Sequence, residues 1–103
     1  MRPQYIPQCR EVAKHWGNRM PMMCMEEAAE LIQAISKMER VPETGETVID
    51  SKEHLIEEMG DILIAVEALR EFYRIPEDKI EMRIREKLAR KYPLTGNRVE
   101  RRK

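Results

Sequence analysis

Two segments of the chain carry the same spacing of carboxylate side chains. Residues 25–35 read MEEAAELIQAI and residues 56–66 read IEEMGDILIAV, so one pattern of acids and apolar residues occurs twice. In each segment a third acid follows a pair of adjacent glutamates: Glu26, Glu27 and Glu30, then Glu57, Glu58 and Asp61. Like charges three or four residues apart on a helix cost about 0.2 to 0.5 kcal/mol per pair. The repeated acids therefore indicate a bound cation, which a merely solvated helix face would not need.

The ligand types indicate which cation this would be. Carboxylate oxygens are hard ligands, typical of Mg²⁺ and also of Mn²⁺. A di-iron site of the ferritin type would need Glu-x-x-His pairs, which neither segment contains. We expect His54, four residues before Glu58, and His15, outside both segments, to be surface or capping residues. The sequence thus predicts a Mg²⁺ site, with Mn²⁺ as the alternative.

Helix geometry selects the acids that face the neighbouring helix. At about 100° per residue, Glu27 borders the apolar stripe of its helix, and the small Ala34 and Ala65 leave space beside the acids. If the two helices pack antiparallel, Glu30 and Asp61 lie at the same height. We therefore predict that four carboxylates converge: Glu27, Glu30, Glu58 and Asp61.

The spacing of apolar residues and helix-breaking residues predicts four helices, over 7–16, 21–40, 50–73 and 76–92. Pro7, Pro21 and Pro76 can each open a helix, and Asp50 with Glu53 resembles a capping box. The apolar stripe of the second helix would comprise Met25, Ala28, Leu31, Ile32, Ile35 and Met38. The fold class is therefore all-α, a four-helix bundle over 1–93, with a basic and flexible tail over 94–103.

Composition limits the class of protein further. The 103 residues include four glycines and five aromatic side chains, which suits one small helical domain better than a β-sandwich or barrel. No apolar run has the roughly 20 residues of a membrane span, and the first residues lack a signal-peptide core, so we expect a cytoplasmic protein. Cys9 and Cys24 form no C-x-x-C pair, and we expect them to be small core residues.

The net charge of zero hides an uneven distribution. Residues 1–25 hold 4 basic and 1 acidic side chains, residues 26–61 hold 3 and 11, and residues 62–103 hold 12 and 7. A nucleic-acid groove needs one basic face, so this acidic middle with basic flanks argues against it and against a membrane partner. The same distribution suits a metal held beside a phosphate.

The apolar surface exceeds what four helices joined by short loops can cover. Besides the stripes of the two long helices, the chain carries Met22, Met23, Phe72 and Tyr73. We therefore expect self-association, as a homodimer or homotetramer that completes the bundle.

At its two acidic segments the sequence resembles the MazG-like, all-alpha nucleoside triphosphate pyrophosphohydrolases. Their mark is Glu-Glu-x-x-Glu followed by Glu-x-x-Asp on the next long helix, which occur here as Glu26-Glu27-x-x-Glu30 and Glu58-x-x-Asp61. The similarity covers most of residues 9–92 and includes a closing REKLARKYP. It implies Mg²⁺-dependent cleavage of a nucleoside triphosphate to monophosphate and pyrophosphate by a helical oligomer, as in nucleotide-pool house-cleaning.

This reaction assigns tentative roles to residues outside the metal set. Glu26 lies beside the carboxylates and is the candidate to orient or deprotonate the attacking water. Cationic side chains at the end of the fourth helix are candidates to bind the substrate phosphates: Lys87, Arg90 and Lys91. Their positions also suit the dipole of that helix. Trp16 is the candidate to stack on the base, although a single Trp on an apolar stripe also suits the core.

Two alternatives remain open from the sequence. Phosphoribosyl-ATP pyrophosphohydrolases look similar but carry a Tyr-His pair after the second motif, where this chain has Ile64-Ala65. A helical interaction module without catalytic activity would use its acids only for solubility. It would show no saturable binding of metal.

Overall fold

The computed structural model describes residues 1–41 and 46–94, and these form four α-helices and no β-strand. A 3₁₀ turn (Pro3–Tyr5) precedes α1 (Ile6–Trp16), and a second 3₁₀ turn (Gly17–Arg19) connects it to α2 (Met20–Arg40). The two remaining helices are α3 (Glu46–Phe72) and α4 (Glu77–Lys91). The predicted all-α class is confirmed.

Most helix ends follow the local sequence rules. Both α1 and α2 have a proline in the first turn, and α4 begins directly after Pro76. Gly17 ends α1 with φ +54°, a conformation that L side chains rarely adopt. The predicted tail lies outside the described residues from position 95 onward.

The predicted start of α3 is wrong. The helix begins at Glu46, four residues before Asp50, so Asp50 and Glu53 lie inside it and form no capping box. No glycine or proline lies between Glu46 and Asp50, and the helix therefore continues upstream through Asp50.

The core lies between α2 and α3, which pack as an antiparallel pair. Cys24 near the start of α2 meets Ala65 and Ala68 near the end of α3, and the α2 acids meet α3 farther upstream. Within the described residues, Met20 is the only large side chain that is fully buried. Because the helices meet through small residues, their backbones approach closely, and side chains at the contact come within ligand distance of one another.

The face of α2 that packs on α3 differs from the predicted apolar stripe. Ile32 and Ile35 are 65% and 46% exposed, whereas Ala34 is 1% exposed. The packed face contains Cys24, Glu27 and Ala34, about 70° around the helix from the predicted one. Small side chains occupy the close contact, and the bulky isoleucines lie on its outer flank.

Arg70 connects the end of α3 to its surroundings. Its guanidinium pairs with the buried Glu67 and with Glu71, and it donates a hydrogen bond to the carbonyl of Ile75 at 2.6 Å. Glu71 also accepts a hydrogen bond from Arg10 of α1 at 3.2 Å. These pairs hold α1 against the carboxyl end of α3.

Much apolar surface remains exposed. Every residue of α4 is exposed, and a row of apolar residues on α3 faces away from the core: Ile56, Met59, Leu63 and Val66. The chain exposes 8733 Å², compared with roughly 6,100 Å² for a compact monomer of this mass. Among the described helices, none has the length and apolar character to cross a membrane.

The two cysteines are free thiols, and both are buried. Burial raises the pKa of both thiols above the ordinary value, which favours the uncharged form. The prediction that Cys9 and Cys24 are small core residues is confirmed.

Candidate metal centre

The contact between α2 and α3 brings three carboxylates together. Glu27 of α2 and Glu58 and Asp61 of α3 can each offer one oxygen, and these oxygens all lie within 4.8 Å of one another. Opposite ligands of one Mg²⁺ are about 4 Å apart, so a small adjustment of the side chains would suit a single ion. Glu58 is buried, Glu27 is half-buried and Asp61 is exposed, which leaves the group open to solvent on one side.

The other predicted ligand and the candidate for water activation lie beside this group. Glu30 is exposed and falls outside the set of three, but its charge acts on both Glu27 and Glu58. Glu26 is also exposed and adjoins Glu27 in the chain. The roles of Glu26 and Glu30 therefore stay predictions.

Glu58 is the least satisfied carboxylate of the group. Its oxygen Oε1 is buried and has no hydrogen-bond partner. Burial raises the pKa of Glu58, the negative charges of Glu30 and Asp61 raise it further, and His54 partly opposes the shift. A buried carboxylate oxygen without a partner is costly, and a divalent cation would satisfy it. These residues therefore fit the Mg²⁺ expected from the sequence.

Glu27 has the same kind of environment. Burial raises its pKa first, followed by the charges of Glu30, Asp61 and Glu58. Without a cation the folded protein thus holds protons at Glu27 and Glu58 more tightly than isolated side chains would. A bound cation would reverse this preference because it stabilises the charged carboxylates.

The candidate phosphate ligands lie on α4. Lys87, Arg90 and Lys91 are all exposed, and none of the ion pairs among the described residues joins them to Glu27, Glu58 or Asp61. Their role in binding phosphate stays a prediction.

Trp16, the candidate for base binding, is half-buried and packs against the core cluster. The guanidinium of Arg19 lies over its ring, 5.0 Å from the centroid, and His15 meets the ring edge-on at 5.4 Å. Stacking on a base stays a prediction, and it would require the face of the ring covered by Arg19 to open, or the other face to be accessible.

A second group of possible ligands was not predicted as a site. His54, Glu57 and Glu58 lie on one turn of α3, with one ligand atom of each within 4.8 Å of the others. The spacing of three and four residues is visible in the sequence, but His54 was interpreted as a surface or capping residue.

The fold and these carboxylates define a class of small all-α proteins in which two antiparallel helices hold acids at cation-site spacing. A family model described as the MazG nucleotide pyrophosphohydrolase domain matches residues 18–95, well over half of the 103-residue chain. The chain therefore belongs to this family, and the resemblance noted in the sequence is confirmed. No curated protein and no solved structure gave a match. Membership indicates a nucleotide pyrophosphohydrolase and favours an enzyme over an interaction module.

The raised pKa values predict how stability without metal depends on pH. A raised pKa means that the folded state binds protons more tightly than the unfolded state, so stability is lost as pH rises through the raised pKa of Glu58. In a chelator, Glu58→Gln should remove part of this loss, and its melting temperature should gain most on wild type near neutral pH. Thermal melts between about pH 5 and pH 8 would measure this. Glu53→Gln, an exposed change on the same helix, should leave the pH dependence as in wild type.

Asp61→Asn tests the cation directly. The substitution keeps the size of the side chain but removes a charge, so the metal-free protein should melt slightly higher while its response to Mg²⁺ falls steeply. Wild type should gain about 2.7 kcal/mol when Mg²⁺ is at about 100 times its dissociation constant. Asp50→Asn, an exposed Asp on the same helix, should respond as wild type does. Equal responses of wild type and Asp61→Asn would contradict the site.

Proposed function

We propose that this protein is a Mg²⁺-dependent nucleoside triphosphate pyrophosphohydrolase that releases a nucleoside monophosphate and pyrophosphate and so serves nucleotide-pool house-cleaning. The observation that carries the proposal is the partnerless, buried Oε1 of Glu58 within a three-carboxylate group, in a chain of the MazG family. Mn²⁺ has the same ligand preferences and is the alternative ion.

The metal would be held by Glu27, Glu58 and Asp61, with Glu30 close enough for its charge to act on the first two. When bound, Mg²⁺ would neutralise charge on the phosphate oxygens and polarise the anhydride. The exposed side of the group, at Asp61, is where phosphate oxygens could approach. Packing against α2 keeps Glu58 fixed behind it.

The remaining steps rest on the chain's own side chains. Glu26, exposed next to Glu27, orients a water molecule and accepts its proton. The water oxygen bonds to the α-phosphorus while the bond to the bridging oxygen breaks, and pyrophosphate leaves. Cationic groups offset the charge on this leaving group: Lys87, Arg90 and Lys91. Trp16 contributes a ring for the base.

Self-association completes this proposal because α4 carries the phosphate-binding residues and does not pack in the isolated chain. Its apolar residues Ile80, Ile84 and Leu88 recur every four positions and are 37%, 48% and 53% exposed. An apolar groove of about 680 Å³ opens between α1 and α3, with Ile84 at its edge and Leu63 and Ile64 in its wall. A second copy of the chain would cover these faces, giving a homodimer or homotetramer.

The products test the proposed reaction. With Mg²⁺ and a panel of ribo- and deoxynucleoside triphosphates, monophosphate and pyrophosphate should appear in equal amounts, without diphosphate. Asp61→Asn should lose at least about 100-fold in rate because a metal ligand is removed, while Asp50→Asn should keep the wild-type rate. Orthophosphate as the main product, in a coupled assay that separates it from pyrophosphate, would exclude this reaction.

The exposed apolar faces predict a change in oligomeric state. Leu63 is 62% exposed in the isolated chain, so Leu63→Glu would be nearly neutral in a monomer, within about 0.5 kcal/mol. In an oligomer the new charge would be buried without a partner, and the variant should dissociate. Sedimentation at micromolar concentration would report this, with the exposed Lys14→Glu as the control for added negative charge. A monomeric wild type would contradict the proposal.

A further inference from the structure

One turn of α3 collects three metal-binding side chains on the side of Glu58 that faces His54. His54, Glu57 and Glu58 each offer a ligand atom within 4.8 Å of the other two. The Nε2 atom of His54 lies 4.0 Å from Oε2 of Glu58, which is too long for a hydrogen bond. Residues three and four apart share one face of a helix, so the backbone of α3 itself maintains this arrangement.

A second observation points to a ligand in addition to the cluster itself. The side chain of Glu58 is only 10% exposed, and its Oε1 has no hydrogen-bond partner. By contrast, the side chain of His54 is 45% exposed, and Glu57 is also exposed. A shallow pocket of about 430 Å³ opens here, lined by Glu53, His54, Ile56 and Glu57. A cation from solvent could thus reach a fixed, unsatisfied carboxylate without any backbone movement.

The donor set differs from that of the Mg²⁺ group. An imidazole nitrogen suits Zn²⁺, Cu²⁺ and Ni²⁺, whereas Mg²⁺ prefers oxygen ligands alone. One imidazole, two carboxylates and a water molecule would complete the four-coordinate shell of zinc. The two acids also supply the negative charge needed to balance a divalent ion.

We propose that His54, Glu57 and Glu58 bind a divalent transition-metal ion such as Zn²⁺, at a site that shares only Glu58 with the proposed Mg²⁺ site. The proposal goes beyond nucleotide hydrolysis and does not depend on it. A carboxylate can give one oxygen to each of two ions, and Oε2 is the oxygen of Glu58 on the His54 side.

Calorimetric titration of Zn²⁺ into the untagged full-length chain tests this site, because a histidine tag would itself bind zinc. Wild type should bind Zn²⁺ saturably, and His54→Gln and Glu57→Gln should each weaken binding at least about tenfold. His15→Gln removes the other histidine of the chain and should bind Zn²⁺ as wild type does. Helical circular dichroism and melting curves would verify that each exposed substitution leaves the fold intact.

Asp61→Asn separates this site from the proposed function. It should keep Zn²⁺ binding while losing the response to Mg²⁺, so loss of the Mg²⁺ response alone leaves the zinc site standing. The zinc site is overturned if wild type does not bind Zn²⁺, if His54→Gln binds it as tightly as wild type, or if His15→Gln is weakened as much as His54→Gln.

Discussion

The crowding of carboxylates at the contact between α2 and α3 is the constraint on which the rest of the structure depends. Glu27, Glu58 and Asp61 place oxygens within 4.8 Å of one another in a partly buried position, so protons or a cation must offset their repulsion. The same contact requires small neighbours, because a bulky side chain in place of Ala34 or Ala65 would push the two helices apart. Helix packing and the candidate site are therefore one arrangement, in which a change to either affects both.

This arrangement has a consequence for the hydrophobic core. Alanines and a cysteine bury little apolar area, so the contact that brings the acids together contributes less hydrophobic stabilisation than a leucine-rich one would. The bulky apolar side chains lie elsewhere, on the outer face of α3 and along α4, where the isolated chain leaves them exposed. A chain of this kind gains its missing apolar burial from a second copy, and α4 acquires a fixed position in the same step.

The sequence predicted the helices and most of the candidate site because both depend on local rules. Proline in a first turn and Gly17 at positive φ mark helix ends, and helix periodicity places Glu27, Glu58 and Asp61 on facing sides. The rotation of α2 was not predictable in this way. Periodicity assigns the most apolar face to the core, but here Ile32 and Ile35 are exposed and Ala34 is buried. Which apolar face packs within a chain, and which remains for a partner, depends on tertiary contacts that are absent from the pattern.

Glu58 lies where the two candidate donor sets meet, and this position has an energetic consequence. Its carboxylate is fixed by packing against α2, so it cannot turn to serve one ion without reducing what it offers the other. Two cations that share one carboxylate also repel each other, which makes occupation of either site weaken binding at the other. Because linkage is reciprocal, the factor by which an ion at His54 lowers affinity for Mg²⁺ must equal the factor by which Mg²⁺ lowers affinity at His54. The coupling would be carried through a single side chain and would need no change of fold.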